Sequence, residues 1–193
     1  MRLLLATRNR GKLREYRQLL AGLPLELVSL KDLDITIDIP ELGESFLENA
    51  TLKASGYARL SGITTLADDS GLEVDALGGA PGVQSARWAG PAAGDRERIQ
   101  LLLERLRDVP PAARGAQFRC VVAIATADGR LFTAEGSCRG LIIDQPRGRH
   151  GFGYDPVFLL PELGVTMAEL APEAKNRISH RARALQAAPV PGG

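Results

Sequence analysis

The first thirty residues alternate between apolar segments typical of strands and an amphipathic segment typical of a helix. Residues 2–6 read Arg-Leu-Leu-Leu-Ala, as a buried strand would, and residues 12–21 place leucine and tyrosine at helical spacing. A second apolar segment at 25–30 completes a unit of strand, helix and strand. This order favours a fold in which helices pack on a sheet.

Later segments keep to the same two patterns. Ser45, followed three residues on by Glu48, is a capping-box pattern that predicts a helix running to about Leu60. Further predicted elements are strands at 63–67 and 72–76, a helix capped by Asp95 and ending near Arg107, a hairpin of 118–126 and 131–137, a strand at 140–143, and a helical stretch from about 166 to 187 whose second helix begins at Pro172. Interleaved helices and strands, with an antiparallel hairpin in the second half, predict an α/β or α+β fold with a mixed sheet.

Composition and length limit the class of protein. The chain has 193 residues, 45% hydrophobic and 24% charged, so we expect one globular domain over 1–193 with a frayed Pro/Gly tail at 189–193. A net charge of +1 gives no general reason to expect binding to nucleic acid or to a membrane. The apolar runs are much shorter than the roughly 20 residues that cross a bilayer. With only two cysteines, we expect a cytoplasmic protein that keeps Cys120 and Cys138 in its core.

The loop after the first predicted strand concentrates positive charge. Residues 7–12 read Thr-Arg-Asn-Arg-Gly-Lys between a strand and a helix, where backbone N–H groups and the helix dipole favour an anion such as phosphate. The segment is not a Walker A motif, because Ala6 stands at its first glycine position and Leu13 replaces the hydroxyl residue that binds Mg²⁺. From this segment alone, a solvated basic turn is an equally good interpretation.

Two adjacent carboxylates, Asp68 and Asp69, follow the strand predicted at 63–67. Open sheets usually bind ligands at the carboxyl ends of their strands, and neighbouring side chains of a strand point to opposite sides. One carboxylate can therefore bind a metal or a water while the other makes structural contacts. Mg²⁺ suits such a site, since it takes one or two protein carboxylates and completes its shell with phosphate and water. The candidate partners are Glu41, Glu44 and Glu48, of which the last two are better explained by helix capping.

Lys53 is one of only four lysines in a chain that contains twenty arginines. It lies four residues after Asn49, so both side chains can face the same side of the predicted helix. The chain thus keeps a compact ammonium group where it otherwise favours arginine, so Lys53 is a candidate site residue. The alternative interpretation is an ordinary solvated lysine.

A second polar and aromatic cluster is predicted from two later segments. Phe152-Gly153-Tyr154-Asp155 supplies aromatic faces that can stack on a nucleobase, and Ser179-His180-Arg181 adds hydrogen-bonding groups that suit base edges. On these residues alone, the favoured interpretation is a core role for the aromatics and a surface position for His180.

Taken in order, these motifs resemble those of the inosine triphosphate pyrophosphatase family, the dITP/XTP diphosphatases that remove deaminated purine nucleotides. The similarity covers nearly the whole chain and rests on six segments, at 6–12, 46–50 with Lys53, 67–72, 77–82 with 85–87, 151–156, and Lys175 with 179–181. Each segment is modest by itself, but six in the same order at matching spacing are specific.

The resemblance implies an α/β fold with a mixed twisted sheet, flanking helices and two lobes around a central cleft, usually as a homodimer. It implies Mg²⁺-dependent hydrolysis of a small-molecule purine nucleoside triphosphate, namely ITP, dITP or XTP, to the monophosphate and pyrophosphate. Neither nucleic acid nor a membrane is an implied partner.

Roles for individual residues are implied as well. Glu41 and Asp69 would bind the metal, and Asp69 would act as general base on the attacking water, with Asp68 as the close alternative. Lys53 would add positive charge and complete the catalytic set. The implied substrate contacts are Thr7, Arg8, Asn9, Arg10, Gly11 and Lys12 at the phosphates, Ser70 in the substrate site, and Phe152, Gly153, Tyr154, Asp155, Lys175, His180 and Arg181 at the purine.

Three other functions fit parts of the same pattern. A nucleotide-binding sensor would bind the same ligand without turnover. An aspartyl-phosphate phosphatase would use Asp68 or Asp69 as its nucleophile, but the usual Asp-x-Asp spacing is missing. RNA binding through surface arginines is disfavoured by the net charge near zero.

Overall fold

The computed structural model describes residues 1–189, so most of the predicted Pro/Gly tail, at 190–193, lies outside the described residues. Within that range the strands are β1 (Arg2–Leu5), β2 (Glu26–Ser29), β3 (Thr65–Val74), β4 (Gly115–Ala125), β5 (Leu131–Ile142), β6 (Phe158–Leu160) and β7 (Val165–Thr166). The α-helices are α1 (Arg10–Leu19), α2 (Phe46–Ser61), α3 (Asp95–Arg105), α4 (Pro172–Ile178) and α5 (His180–Ala187).

All of these strands belong to one sheet, in the order β2-β1-β3-β4-β5-β6-β7. β1 pairs in parallel with β2 and β3, whereas β6 pairs antiparallel with β5 and β7. The sheet is therefore mixed, and the α/β fold predicted from the sequence is confirmed. The predicted opening unit is β1, α1 and β2, whose two parallel strands are joined by the helix.

The largest departure from the predicted elements is β3. The sequence predicted two strands separated at 68–71, but one strand of ten residues spans Thr65–Val74. Most of its residues are buried, and it has a hydrogen-bonded strand on each side, so a continuous ladder outweighs the low strand propensity of aspartate and glycine. Asp68 and Asp69 consequently lie inside a strand and not at its carboxyl end.

Local capping signals were predicted more accurately than element ends. Ser45 and Glu48 form the expected capping box of α2, and Pro172 occupies the first turn of α4. The cap predicted at Asp95 was wrong, since Gly94 precedes α3 and donates its N–H to the Glu97 side chain. The strand predicted at 140–143 is the end of β5, and the helical stretch begins at α4 because 166 belongs to β7.

The chain divides into two compact units. Within the described residues, the first comprises 1–69, 120–136 and 181–189, and the second comprises 70–119 and 137–180. The predicted central cleft stays a prediction. The core of the first unit draws on β1, α1, β3, β4 and α5 through Leu3, Leu5, Tyr16, Leu20, Leu66, Cys120, Val122, Ile124 and Ala184.

The second unit has its own core, in which α3 packs with strands of the sheet. Ile99, Leu102 and Leu106 lie beside residues of β3, β4, β5 and β6, among them Phe118 and Phe158. Both cysteines are free and buried, as predicted. Across the described range, no helix combines the length and the apolar character needed to cross a membrane.

Candidate active site

A buried cluster of charges surrounds Asp68 in the first unit. Leu66 packs in the core with α1 and α5, and Asp68, two residues further along β3, faces the same side of the sheet. Lys12 Nζ lies 3.0 Å and Arg181 Nε lies 3.4 Å from Asp68 Oδ2. Burial by itself raises the pKa of Asp68, but the neighbouring cations outweigh burial and hold this pKa well below its ordinary value. Asp68 is therefore ionised throughout the neutral range.

Arg181 connects this cluster to α1. Its guanidinium donates to the Glu15 carboxylate as well as to Asp68, and it lies over the Tyr16 ring with Cζ 5.8 Å from the centroid. Burial by itself lowers the pKa of Arg181, but Glu15 and Asp68 raise this pKa by more than burial lowers it. The guanidinium therefore stays charged although Arg181 is 1% exposed. The resemblance implied that Arg181 reads the purine. The structure places its guanidinium between two carboxylates of the first unit.

Asp69 points to the other side of β3, where α2 supplies its partner. Asn49 Nδ2 donates to Asp69 Oδ2 at 3.0 Å. Burial raises the pKa of Asp69 above its ordinary value, and it outweighs the opposing effects of Lys53, Lys12 and the Asn49 hydrogen bond. The two neighbouring aspartates thus have pKa values shifted in opposite directions, which marks them for different roles.

Lys53 holds the predicted metal ligand Glu41 close to β3. Its Nζ donates to Glu41 Oε1 at 2.5 Å and to the backbone carbonyl of Asp68 at 2.6 Å. Burial alone lowers the pKa of Lys53, but Asp68, Glu41 and Asp69 outweigh burial and raise it. The structure therefore brings Lys53, Glu41 and the aspartate pair together, while the roles that the resemblance implied for them stay predictions.

Glu41 and Asp69 are the two carboxylates that can hold a cation here. Each lies near Lys53, and the Glu41 charge contributes to the raised pKa of Asp69. No group of three or more His, Cys, Asp or Glu residues is assembled as a metal site in the part of the chain that the structure describes. A pair of carboxylates fits Mg²⁺, whose shell is completed by water and, when substrate is bound, by phosphate oxygens. Glu48 instead accepts from the Glu44 and Ser45 N–H groups, which confirms capping for that residue.

The basic loop at 7–12 is used partly for local structure. Asn9 caps α1, since its Oδ1 accepts from the Lys12 N–H at 3.1 Å, and Thr7 Oγ1 accepts from the Asn9 N–H at 3.2 Å. Lys12 follows in the first turn of α1 and reaches Asp68. The cap and the lysine thus place the N-terminus of α1 beside the aspartate cluster.

The remaining residues of this loop behave differently from one another. The Arg8 guanidinium donates to Asp38 at 2.6 Å and to two backbone carbonyls at 35 and 37. Arg8 therefore fastens the segment 35–38. Arg10 is exposed at the start of α1, while Gly11 is buried within the helix.

The second unit contains the residues implied in base recognition. Asp155 Oδ2 accepts from Lys175 Nζ at 2.5 Å and from the Phe152 N–H at 3.0 Å, and both members of the ion pair are buried. Lys175 Nζ lies 5.1 Å from the centre of the Phe152 ring. At Gly151 an added Cβ would lie 2.0 Å from Asp155 Oδ2, so only glycine fits there.

Three further contacts shape the same region. Tyr154 belongs to the core of the second unit, as the core interpretation predicted, and its hydroxyl donates to the Ser85 carbonyl at 2.9 Å. His180 is buried and stacks on Phe118 with ring centres 4.8 Å apart, so its predicted surface position was wrong. The Gly153 N–H donates to Asp95 at 2.7 Å, and Ser70 is half-buried in β3.

Comparison with known proteins places this geometry in a family. The pattern of the Ham1 family matches residues 3–189. This chain belongs to the Ham1 family. A Ham1 relative, the dITP/XTP pyrophosphatase of Geobacter sulfurreducens, is 52% identical over 184 residues, which cover 95% of this chain and 92% of that protein.

Solved structures give the same result for the Ham1 fold. The structure of a HAM1 protein from Coxiella burnetii has a TM-score of 0.86 and 42% identity, over 96% of this chain and 95% of that one. A nucleoside-triphosphatase, dITP/XTP pyrophosphatase, from Mycobacterium abscessus has a TM-score of 0.76 and 45% identity, with 97% of each chain covered.

Two residues of this Ham1 site were missed by sequence reasoning. Glu15 follows Lys12 by three positions on α1, and a carboxylate on the same helical face was the available signal. Asn49 was placed beside Lys53 by helical spacing but was given no role. Their partners, Arg181 and Asp69, come from other elements, so spacing alone did not reveal them.

Proposed function

We propose that this chain hydrolyses deaminated purine nucleoside triphosphates, ITP, dITP and XTP, to the nucleoside monophosphate and pyrophosphate. The name of the relative at 52% identity, dITP/XTP pyrophosphatase, supports the substrate class. The observation that carries the proposal is the difference between Asp68 and Asp69. One is ion-paired with Lys12 and Arg181, and the other has a raised pKa beside Asn49. A carboxylate of raised basicity within a cationic site suits base-assisted attack of water on a phosphate.

In the proposed reaction, water attacks the α-phosphorus and Asp69 accepts its proton. The bond between the α-phosphorus and the oxygen that bridges to the β-phosphorus breaks, and pyrophosphate leaves with the electron pair. Lys12 and Lys53 supply positive charge at the phosphates. Phosphoryl transfer depends mainly on such positioning and charge neutralisation.

Mg²⁺ is part of the proposal, with Glu41 and Asp69 as the residues that would hold it. When bound, the ion supplies further neutralisation of the phosphate charge. Lys53 supports this role because it ties Glu41 to the backbone of β3 through the Asp68 carbonyl.

Base selectivity is proposed for the second unit, through Phe152, Asp155, Lys175 and His180. Phe152 provides a ring for stacking, and Lys175 carries a buried ammonium group beside it. Hypoxanthine and xanthine present a 6-oxo acceptor that a donor can pair with, whereas adenine presents an amino group that leaves the donor unpaired. Sites built around such hydrogen bonds can discriminate by roughly 10⁴–10⁵.

The proposal includes a homodimer, which the family resemblance implies, and a cytoplasmic location, which the presence of only two cysteines favours. Light scattering coupled to gel filtration measures the assembly directly. A mass of twice the 20.6 kDa of one chain is expected, and a mass of one chain contradicts the dimer.

Pyrophosphate release from ITP, dITP, XTP, ATP and GTP, with Mg²⁺ and with a chelator, tests the proposed activity. We expect metal-dependent release from the first three only, and a loss of about 10²–10³-fold in Asp69→Asn, the usual effect of removing one preorganised electrostatic group. Asp75→Asn is the matched control, because Asp75 is half-exposed and pairs with Arg139. Binding of ITP without pyrophosphate release contradicts the proposal and favours a sensor.

A further inference from the structure

We infer that Asn49 is a positioning residue that fixes the position of Asp69 relative to the segment carrying Glu41. The inference rests on the proposed function, in which these two carboxylates hold the metal. Asn49 lies in the first part of α2 and is 1% exposed. It touches neither substrate nor metal in the proposed reaction, so its effect is exerted through its neighbours.

Both ends of the Asn49 carboxamide are engaged. The Gly43 N–H donates to Oδ1 at 2.8 Å, and Nδ2 donates to Asp69 Oδ2 at 3.0 Å. The backbone N–H can only donate, so the atom that faces it must be the amide oxygen. The orientation of the amide is therefore determined, and a rotation of the group would lose both bonds.

Gly43 fits closely against α2. An added Cβ would lie 2.6 Å from Glu48 Cβ and 2.9 Å from Asn49 Oδ1. The next two N–H groups, of Glu44 and Ser45, donate to the Glu48 carboxylate. The segment 43–45 is thus docked on α2, and Glu41 lies two residues before it. Through this segment, one side chain links one proposed metal ligand to the other.

A purely structural role makes a different prediction from a positioning role. If Asn49 only docks the segment at Gly43, then Asn49→Asp preserves that function, because a carboxylate oxygen still accepts from the Gly43 N–H. The same variant replaces the donor that faces Asp69 with a second acceptor. Asn49→Asp therefore separates the docking of the segment from the positioning of Asp69.

The experiment compares Asn49→Asp and Asn49→Ala with the control Ser45→Ala. Ser45→Ala removes the cap of the same helix but leaves the Asn49 contacts in place. Thermal unfolding measures Tm, electron paramagnetic resonance of free Mn²⁺ measures metal binding without nucleotide, and pyrophosphate release from dITP gives kcat and KM. We expect Asn49→Ala to weaken Mn²⁺ binding and Asn49→Asp to lower kcat, each by about 10–100-fold, with KM for dITP near the wild-type value.

Several results overturn this inference. They are wild-type kcat in Asn49→Asp, wild-type Mn²⁺ binding in Asn49→Ala, or equal losses of both in Ser45→Ala. A wild-type chain that binds Mn²⁺ but releases no pyrophosphate from any nucleotide contradicts the proposed function instead. Because Mn²⁺ binding is measured without turnover, the two failures are distinguishable.

Discussion

Lys12 Nζ lies 3.0 Å from Asp68 Oδ2, and this contact joins the first turn of α1 to the interior of β3. The Lys12 side chain is 14% exposed, whereas the Asp68 side chain is 0% exposed. Of the two side chains, only the lysine therefore keeps some exposure to solvent. In the proposed reaction, Asp68 would orient Lys12 and Asp69 would accept the proton.

Asp68→Asn is expected to destabilise the protein strongly. The substitution leaves Lys12 and Arg181 with positive charge that no carboxylate at this position balances, and loss of one partner of a buried ion pair typically costs about 3–5 kcal/mol. Urea unfolding at pH 7 measures the difference in free energy of unfolding. Asp32→Asn, at an exposed site, is the control. Equal stabilities of wild type and Asp68→Asn would falsify the structural role.

The same variant has a defined pH dependence. The pKa of Asp68 is lowered in the folded state, so its stabilisation is fully present above the unfolded carboxyl pKa of about 3.9 and is lost as pH falls toward the folded value. The difference in unfolding free energy between wild type and Asp68→Asn should therefore stay constant between about pH 6 and pH 8, where carboxyl groups are ionised. The same difference should become smaller below about pH 4. A gap that grows on acidification contradicts the lowered pKa.

Arg181→Lys is expected to reduce activity on all substrates alike. Its guanidinium contacts Glu15 and Asp68, and a lysine cannot make both contacts from the same geometry. The ratios of kcat/KM among ITP, XTP and ATP should therefore remain close to those of the wild type. A selective change in one ratio would support the role at the purine that the resemblance implied.

Asp155→Asn is expected to change base preference. The carboxylate accepts from both Lys175 and the Phe152 N–H, so its neutralisation loosens the ammonium group beside the proposed stacking ring. The preference for ITP over ATP should fall by about tenfold or more, which is a fraction of what such hydrogen bonds can provide. Ratios of kcat/KM measured in parallel with Arg181→Lys provide the comparison. An unchanged ratio would remove Asp155 from base recognition.

Neither thiol is expected to react in the folded protein. Burial raises the pKa of Cys120 to about 12, with a further contribution from Asp68, and Cys138 is buried in the second unit. Because the thiolate is the reactive form, a thiol reagent such as DTNB at pH 8 should label neither residue in buffer and both in denaturant. Rapid labelling in buffer contradicts the burial of these side chains.

Local signals explain what the sequence predicted correctly. The Ser45–Glu48 capping box and the first strand, helix and strand depend on residues close together in the chain. The family resemblance implied separate roles for Lys53 and Glu41, and the structure joins the two side chains directly. In these cases the determining contacts span few residues, so pattern and structure agree.

Long-range contacts explain what the sequence did not predict. Arg181 and Asp68 are 113 residues apart, and no local pattern indicates that a guanidinium from α5 enters the core of the first unit. The continuity of β3 is likewise decided by its neighbouring strands and not by its own residues. The opposite pKa shifts of Asp68 and Asp69 follow from these partners. Two identical adjacent residues therefore could not predict the shifts from the sequence.

Asp68 and Asp69 are identical neighbours in β3, but they are not interchangeable. Side chains alternate along the strand, so the two carboxylates face opposite sides of the sheet. Deleting one residue earlier in β3 would move Asp69 to the place of Asp68 and bring Ser70, which has no charge, to the place of Asp69. Inserting one would bring Ala67 beside Lys12 and Arg181. Either shift in alignment keeps at least one aspartate in the strand but abolishes one of the two roles. Both aspartates therefore keep their roles in only one alignment of this strand.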